Sequence, residues 1–153
     1  MKVGRIAKAF GMNINYFSVR NYKKTQFLKF LSALDYLSIH CPLNEKTKDL
    51  ITIKELKIMK KNMILINTAR GGIVNENDLT KALKQKIIAG AGIDVTTSEP
   101  PKKSHAYYSI LNEANFIWTP HTAWASNETL QEAINQLIKN INSFYKGRKR
   151  NIV

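Results

Sequence analysis

The sequence MILINTARGG, residues 63–72, passes from an apolar run into a short turn that holds an arginine and two glycines. Two further segments repeat this arrangement. The apolar residues 87–93 lead to Asp-Val-Thr-Thr-Ser-Glu-Pro at 94–100, and residues 115–118 lead to Thr-Pro-His-Thr-Ala-Trp at 119–124. Short apolar runs bounded by turn residues predict strands that are buried on both faces, as in a parallel sheet.

A basic, an acidic and an imidazole side chain follow the ends of these strands, namely Arg70, Glu99 and His121. Because ligands bind outside the carboxyl ends of the strands in open α/β sheets, we expect the three side chains at one rim. Arginine holds a carboxylate through two parallel hydrogen bonds, and histidine exchanges a proton near neutral pH. A neighbouring glutamate would hold the imidazole ring in place. The set is suited to redox chemistry on a 2-hydroxy or 2-keto acid.

Strands and helices alternate along the whole chain, which predicts the α/β class with a parallel sheet joined by right-handed crossovers. Thr52 and Glu55 have the spacing of a capping box at the start of one helix. The predicted helices cover residues 1–10, 25–33, a segment from 52, 75–86 and 126–145, and the predicted strands cover 13–18, 35–40, 63–67, 87–95 and 115–119.

The composition is that of an ordinary globular domain, with 44% hydrophobic and 23% charged residues over 153 positions. We therefore predict a single domain. No apolar run approaches the ~20 residues of a membrane helix, which argues against a membrane protein. The only cysteine, Cys41, excludes an internal disulfide and favours a cytoplasmic location.

The formal net charge of +13 raises the alternative of a nucleic-acid-binding domain. The lysines are scattered over the polar faces of predicted helices, and no alternation of aromatic and basic residues suggests a stacking surface. The one basic cluster, KGRKR at 146–150, is equally suited to a helix C-terminus. We therefore expect a solvated basic surface and no nucleic-acid partner.

Several motifs in order along the chain resemble one known family. They are Phe10-Gly11-Met12, Ser38–Leu43, Glu45-Lys46-Thr47, Ile64–Gly72, Ala89–Val95, Ser98–Pro101 and Thr119–Trp124. Together they make the chain similar to the C-terminal half of the D-isomer-specific 2-hydroxyacid dehydrogenases, which are NAD(P)-dependent. The resemblance implies a doubly wound, Rossmann-type parallel sheet.

Against that family pattern, the first and central strand and its Gly-rich phosphate loop would be missing, and so would the N-terminal substrate domain. The resemblance thus implies a partial NAD(P)-binding domain over about residues 1–125, followed by a C-terminal helix at 126–146 and a tail at 147–153. We expect the chain to be a fragment that is inactive by itself.

The resemblance also assigns catalytic roles. Arg70 would bind the substrate carboxylate and polarise the keto oxygen, His121 would be the acid/base, and Glu99 would pair with His121. Arg70 lies shortly before a predicted helix, where the positive end of the helix dipole disfavours a cation, and we take this as a sign of an anionic ligand. His105 lies in a loop that differs within the family and is expected to be incidental.

A larger set is implied to line the cofactor site: His40, Cys41, Pro42, Thr47, Thr68, Ala69, Arg70, Asp94, His121, Ala123 and Trp124. His40 has packing as an equal alternative, and Asp94 could cap a turn instead of binding the nicotinamide carboxamide. No metal ligands are expected.

The cofactor and the substrate stay open at this point. Dinucleotide sites often carry an acid after the second strand, but residues 18–20 are Ser-Val-Arg, which would tolerate a 2′-phosphate, so both NAD and NADP are candidates. Ala123-Trp124-Ala125 resembles the glycerate dehydrogenase/hydroxypyruvate reductase branch, and the full-length enzyme would be a homodimer. The alternative is a non-catalytic, nucleotide-binding partner protein similar to the corepressors related to this family.

Overall fold

The computed structural model describes residues 2–152, and its centre is a parallel sheet of four strands. The strands are β1 (Tyr36–Ile39), β2 (Ile64–Asn67), β3 (Gly90–Ile93) and β4 (Phe116–Trp118), and they lie side by side in chain order. The helices are α1 (Lys2–Ala9), α2 (Lys24–Ala33), α3 (Ile53–Leu56), α4 (Glu76–Lys84) and α5 (Asn127–Tyr145), with a 3₁₀ helix at Ala106–Ile110. The predicted α/β class is confirmed.

Side chains at the helix starts explain where several helices begin. The predicted capping box is present in full, because the Thr52 side chain accepts from Lys54 and the Glu55 carboxylate accepts from the Thr52 backbone. Asn75 caps α4 by accepting from the Asp78 N–H. Such caps pair backbone N–H groups that a helix leaves without partners at its start.

The register of the sheet brings the three strand ends of interest into one row. Asn67, the last residue of β2, pairs with Ile93 of β3, and Ile93 pairs with Trp118 of β4. The segments that follow these residues therefore leave the sheet at the same edge, as predicted.

The core fills the space between the central strands and the helices α2, α3 and α4. Most of its members are aliphatic and nearly inaccessible: Phe27, Leu31, Ile39, Ile51, Leu56, Met63, Leu65, Ile73, Val74, Leu79, Leu83, Ile88, Ile93, Tyr107, Ile110 and Phe116. In addition, α4 contacts both α3 and the 3₁₀ helix. This packing fixes the sheet that carries the candidate site.

The predicted strand at 13–18 is wrong, because this segment forms no strand. A strand needs a neighbour for its backbone hydrogen bonds, and within residues 2–152 β1 pairs only with β2. The segment is held instead by Phe17, whose ring packs against Tyr22, Phe27 and Phe30 at centroid distances of 4.9–5.7 Å.

Other predicted boundaries shift by a few residues. The strand predicted from residue 87 begins at Gly90, because the chain turns after α4 with Lys86 at φ +53° and buries Ile88 in that turn. The first helix ends at Ala9, and Gly11 at φ +80° follows it, as expected for a left-handed stop. The predicted start of that helix at Met1 lies outside the described residues.

The longest helix, α5, begins one residue after its predicted start, with Ser126 as its cap. None of its residues is buried, although an apolar stripe runs along it through Leu130, Ile134, Leu137, Ile138 and Ile141. Helix α1 also has no buried residue. Among the described helices, none combines the length and apolar character needed to cross a bilayer.

Candidate active site

The turn after β2 presents Arg70 at the carboxyl edge of the sheet. Asn67, which is almost fully buried, shapes this turn by accepting from the Ala69 N–H and donating to the Arg70 carbonyl, both at 3.0 Å. The Arg70 side chain is exposed, and its guanidinium donates to the Ala69 carbonyl at 2.7 Å. Helix α4 begins only at Glu76, so the helix-dipole argument for Arg70 does not apply.

The loop after β3 and the turn after β4 meet in a hydrogen bond between Glu99 and His121. The distance from His121 Nδ1 to Glu99 Oε2 is 2.6 Å, and the two side chains are 34% and 39% exposed. The second oxygen of Glu99 accepts from the Thr96 N–H at 3.0 Å. The hydrogen bond from His121 is the main cause that lowers the pKa of Glu99 below its usual value.

This geometry determines which ring nitrogen of His121 is free. An ionised carboxylate can only accept hydrogen bonds, so Nδ1 must carry the proton that lies between the two groups. The other nitrogen, Nε2, is then the one available to exchange a proton with a bound molecule. An imidazole that a carboxylate orients in this way has the geometry to exchange a proton with a bound molecule.

Asp94, at 3% exposure, holds the turn that carries His121. Its carboxylate accepts from the Thr119 hydroxyl and, at 2.9 Å each, from the N–H groups of Thr122 and Ala123. His121 itself has φ +54°, a left-handed conformation that non-glycine residues rarely adopt. The three bonds from residues on both sides of His121 therefore stabilise an unfavourable backbone conformation.

Burial acts to raise the pKa of Asp94, but the hydrogen bonds from Thr119, Ala123 and Thr122 outweigh it. The net effect is a pKa below the usual value, so this carboxyl stays ionised at neutral pH. Asp94 therefore does cap this turn, which was one of the two roles that the sequence left open for it. The contact with the nicotinamide stays a prediction.

Two cavities adjoin these residues. The first, of about 440 Å³, is lined by Leu43, Lys48, Arg70, Gly71, Gly72, Thr96, Thr97, Glu99 and His121. The second, of about 410 Å³, is lined by Thr68, Arg70, Asp94, His121, Ala123 and Trp124. Arg70 and His121 line both cavities, so a molecule in either one would lie beside the same guanidinium and imidazole groups.

The remaining residues predicted for the cofactor lie along the turn after β1. His40 is exposed, and its Nε2 lies 2.8 Å from the Ser38 hydroxyl. Thr47 is 1% exposed, and its hydroxyl donates to the Pro42 carbonyl at 2.7 Å, so it shapes the loop from within. Burial raises the pKa of the Cys41 thiol, which is consistent with a packing residue and not a nucleophile.

The sequence interpretation missed some residues of the site. Lys48 and Leu43 line the first cavity. Leu43 is the last residue of a matched motif and Lys48 directly follows another, but neither was singled out in the sequence. Gly71 allows a close approach of two turns: a Cβ at this position would be 2.0 Å from the Thr96 carbonyl carbon. The glycine pair was noted in the sequence, but its partner could not be foreseen.

The comparison with protein families gives a match over most of the chain. Residues 1–123 match the family described as D-isomer specific 2-hydroxyacid dehydrogenase, NAD binding domain. The glycerate dehydrogenase of Methylorubrum extorquens is 42% identical over an alignment that covers 99% of this chain and 48% of that protein. The chain thus spans about half the length of the curated relatives it matches.

Solved structures agree with this match. An NAD-complexed D-isomer specific 2-hydroxyacid dehydrogenase from Lactobacillus delbrueckii ssp. bulgaricus superposes with a TM-score of 0.88 at 29% identity, over 99% of this chain and 52% of that one. An acyclic imino acid reductase in complex with NADPH and D-Arg gives a TM-score of 0.79 at 33% identity, over 99% of this chain and 49% of that one.

Proposed function

The chain belongs to the D-isomer specific 2-hydroxyacid dehydrogenase family, and from this premise we propose that it forms the cofactor-binding half of an NAD(P)-dependent oxidoreductase for a D-2-hydroxy acid and its 2-keto acid. The observation that carries the proposal is the hydrogen-bonded pair of His121 and Glu99 beside the exposed guanidinium of Arg70. A cation and an oriented imidazole on one cavity provide the groups needed to bind and reduce a 2-keto acid.

The steps proposed for the protein side chains follow from their positions. Arg70 holds the substrate carboxylate through two hydrogen bonds and draws electron density from the keto oxygen. His121 donates a proton from Nε2 to that oxygen during reduction and takes it back during oxidation. Glu99 keeps the ring in place by accepting from Nδ1 at 2.6 Å. A bound nicotinamide would supply or accept the hydride at the substrate C2.

The residues that line the second cavity are suited to binding a nicotinamide ring. Trp124, 53% exposed at this cavity, offers a flat apolar face to a planar ring. A carboxylate has about four acceptor sites, and Asp94 uses three of them within the chain. One site at Asp94 is left for an N–H of the carboxamide. We propose that this cavity holds the nicotinamide and that the first cavity holds the substrate.

Three finer points belong to the same proposal. The substrate is similar to hydroxypyruvate and glycerate, in line with the glycerate dehydrogenase relative. Arg20 and Ser18 leave room for the 2′-phosphate of NADP as well as for NAD. The whole enzyme is a cytoplasmic homodimer, and a protein made of these 153 residues alone has no meaningful turnover.

Binding can be tested on the chain as it is. We expect NADH and NADPH to quench the tryptophan fluorescence, because Trp124 lines the proposed nicotinamide cavity. Trp124→Phe should remove most of the quenching, while Glu113→Gln, an exposed acid that lines neither cavity, should leave it. Quenching that survives in Trp124→Phe would place the nucleotide elsewhere.

Catalysis can be tested in a hybrid in which this chain replaces the matching half of the Methylorubrum glycerate dehydrogenase, with hydroxypyruvate and NADH or NADPH as reactants. His121→Gln should lower kcat by about 10²–10⁴-fold, and Arg70→Ala should raise KM and lower kcat together. Glu113→Gln, an exposed acid away from the cavities, is the control. Nucleotide binding without reduction of any keto acid would favour the non-catalytic alternative.

A further inference from the structure

A second imidazole–carboxylate pair lies next to the candidate site. His105 Nε2 is 2.8 Å from Glu76 Oε2, and the two side chains are only 7% and 12% exposed. The other ring nitrogen, Nδ1, accepts from the Tyr107 N–H at 3.3 Å and therefore carries no proton. Nε2–H is thus the donor to Glu76, and the ring is held at both of its nitrogens.

Glu76 also binds the loop that carries Glu99. Its Oε1 accepts from the Thr97 N–H at 2.7 Å, and its Oε2 accepts from the Thr97 hydroxyl at 2.8 Å. Thr97 lies two positions before Glu99. On either side of it, the Thr96 N–H donates to the Glu99 carboxylate and the Thr96 hydroxyl donates to the Ser98 carbonyl, so two more hydrogen bonds close this loop. A shift of Thr97 would therefore carry Glu99 with it.

His105 in turn contacts the strand that leads to His121. Its ring stacks on Trp118 at a centroid distance of 5.5 Å and an interplanar angle of 25°. Trp118 is the last residue of β4 and lies three positions before His121. One imidazole ring thus touches the supports of both members of the Glu99–His121 pair.

The chemistry of Glu76 shows why an ionised acid is needed there. Three donors converge on its two oxygens: the Thr97 N–H, the Thr97 hydroxyl and His105 Nε2–H. A carboxylate accepts all three, whereas an amide would turn an N–H group toward one of them. Glu76 is also the first residue of α4, where the helix dipole favours a negative charge.

The Glu76 and His105 side chains lie away from the two cavities of the candidate site. Both side chains are nearly buried. A buried polar pair is also a poor source of stability, because apolar side chains of similar volume often do as well. What such a pair provides is a defined geometry.

We propose that Glu76 and His105 are positioning residues that hold the Glu99 loop, and through Trp118 the His121 turn, so that the carboxylate and the imidazole meet. This inference rests on the proposed function, since it assigns the pair a purpose in orienting the acid/base histidine. It makes no use of the cofactor or of the identity of the substrate.

The test is amide hydrogen exchange of the full chain, followed by mass spectrometry of its peptides. In His105→Leu we expect exchange at residues 96–99 to rise by about tenfold or more, as for the loss of one hydrogen bond to a charged group. Exchange at 119–123 should rise as well, while β2 stays unchanged. His105→Gln, whose amide can still donate to Glu76, should restore most of the protection.

Two further variants control for misfolding of His105→Leu and for unspecific effects of a substitution. Thr97 is exposed, so Thr97→Val removes one bond to Glu76 without disturbing the core, and it should loosen 96–99 in the same direction. Glu113→Gln should change none of these segments. The proposal is overturned if 96–99 keeps its protection in His105→Leu, if 119–123 does not respond, or if β2 exchanges faster to the same extent, which would indicate general destabilisation.

A kinetic readout separates positioning from binding. In the hybrid enzyme, His105→Leu should lower kcat by up to about 10²-fold with little change in KM, because Arg70 is untouched. His105→Gln should recover most of that loss. The exchange experiment requires neither nucleotide nor keto acid, so a failure of the proposed dehydrogenase activity would leave its outcome intact.

Discussion

Replacing Asp94 by Asn tests whether this carboxylate holds the turn that carries His121. One oxygen of the buried carboxylate, Oδ1, accepts from the Thr119 hydroxyl and the Thr122 N–H. The other oxygen, Oδ2, accepts from the Ala123 N–H at 2.9 Å. Asparagine can keep its oxygen toward Thr119 and Thr122. Its NH₂ group then faces the Ala123 N–H, so one hydrogen bond is lost and two donors oppose each other.

The size of the effect follows from these contacts. A hydrogen bond to a charged group contributes about 1.5–3 kcal/mol, and the two retained bonds become weaker when the charge is removed. We therefore expect the free energy of unfolding to fall by about 2–3 kcal/mol. With a urea m-value of about 2 kcal/mol/M, the midpoint of unfolding would move down by roughly 1 M.

The pH dependence of this stability difference provides a second test of the role of the Asp94 charge. The pKa of Asp94 is lowered in the folded state, so its contribution to stability is present above the unfolded value of about 3.9. That contribution is lost as the pH falls through the lower, folded pKa. The difference between the wild type and Asp94→Asn should be complete at pH 7 and should shrink in acid below about pH 4.

Urea unfolding followed by circular dichroism measures both effects. Asp35→Asn is the matched control, since Asp35 is exposed and its ion pair with Lys60 is a surface pair that contributes little. An unchanged midpoint for Asp94→Asn at neutral pH would refute the reasoning, because the turn would then hold without the carboxylate. A difference that persists undiminished in acid would show that the charge is not its source.

Three other predictions follow from the packing. Gly71→Ala would place a Cβ 2.0 Å from the Thr96 carbonyl carbon and should lower Tm clearly. Gly92→Ala should lower Tm less, because a Cβ there meets nothing within 4 Å. Equal melting curves for the two variants would contradict this expectation. Leu65→Ala in the core should lower the free energy of unfolding in urea by about 2–5 kcal/mol, while Ile134→Ala on the exposed stripe of α5 should lower it little. Similar losses of stability in the two variants would count against the described packing. The chain should self-associate through its exposed apolar surfaces in light scattering, and a monodisperse monomer that melts cooperatively above ~65 °C would be the opposing result.

Local patterns predicted the central strands and the edge to which they deliver their side chains. The apolar run before Arg70 and the run before Asp94 are each bounded by turn residues, so their ends were visible in the sequence. The capping box at Thr52 was equally local, since both of its partners lie within four residues. The catalytic roles of the residues at this edge stay predictions.

What the sequence did not show are features that depend on residues distant in the chain. Residues 13–18 have a strand-like pattern, but no pattern shows whether a neighbouring strand is available. His105 was expected to be incidental, and its contact with Glu76 lies 29 positions away. For Asp94, turn capping and cofactor binding both stayed open, because its bonds to Thr122 and Ala123 depend on how β3 and β4 are paired.

The strict chain order of the strands has a consequence for the kinetics of folding. Glu99 and His121 are 22 residues apart and meet only when β4 has docked on β3. A folding intermediate that contains β2 and β3 alone would already present Arg70 and Glu99, but no imidazole beside them. The Glu99–His121 pair therefore forms only after β3 and β4 have paired, although this pairing closes a loop no longer than those of β1–β2 and β2–β3. Substitutions within this pair should therefore change the unfolding rate more than the folding rate.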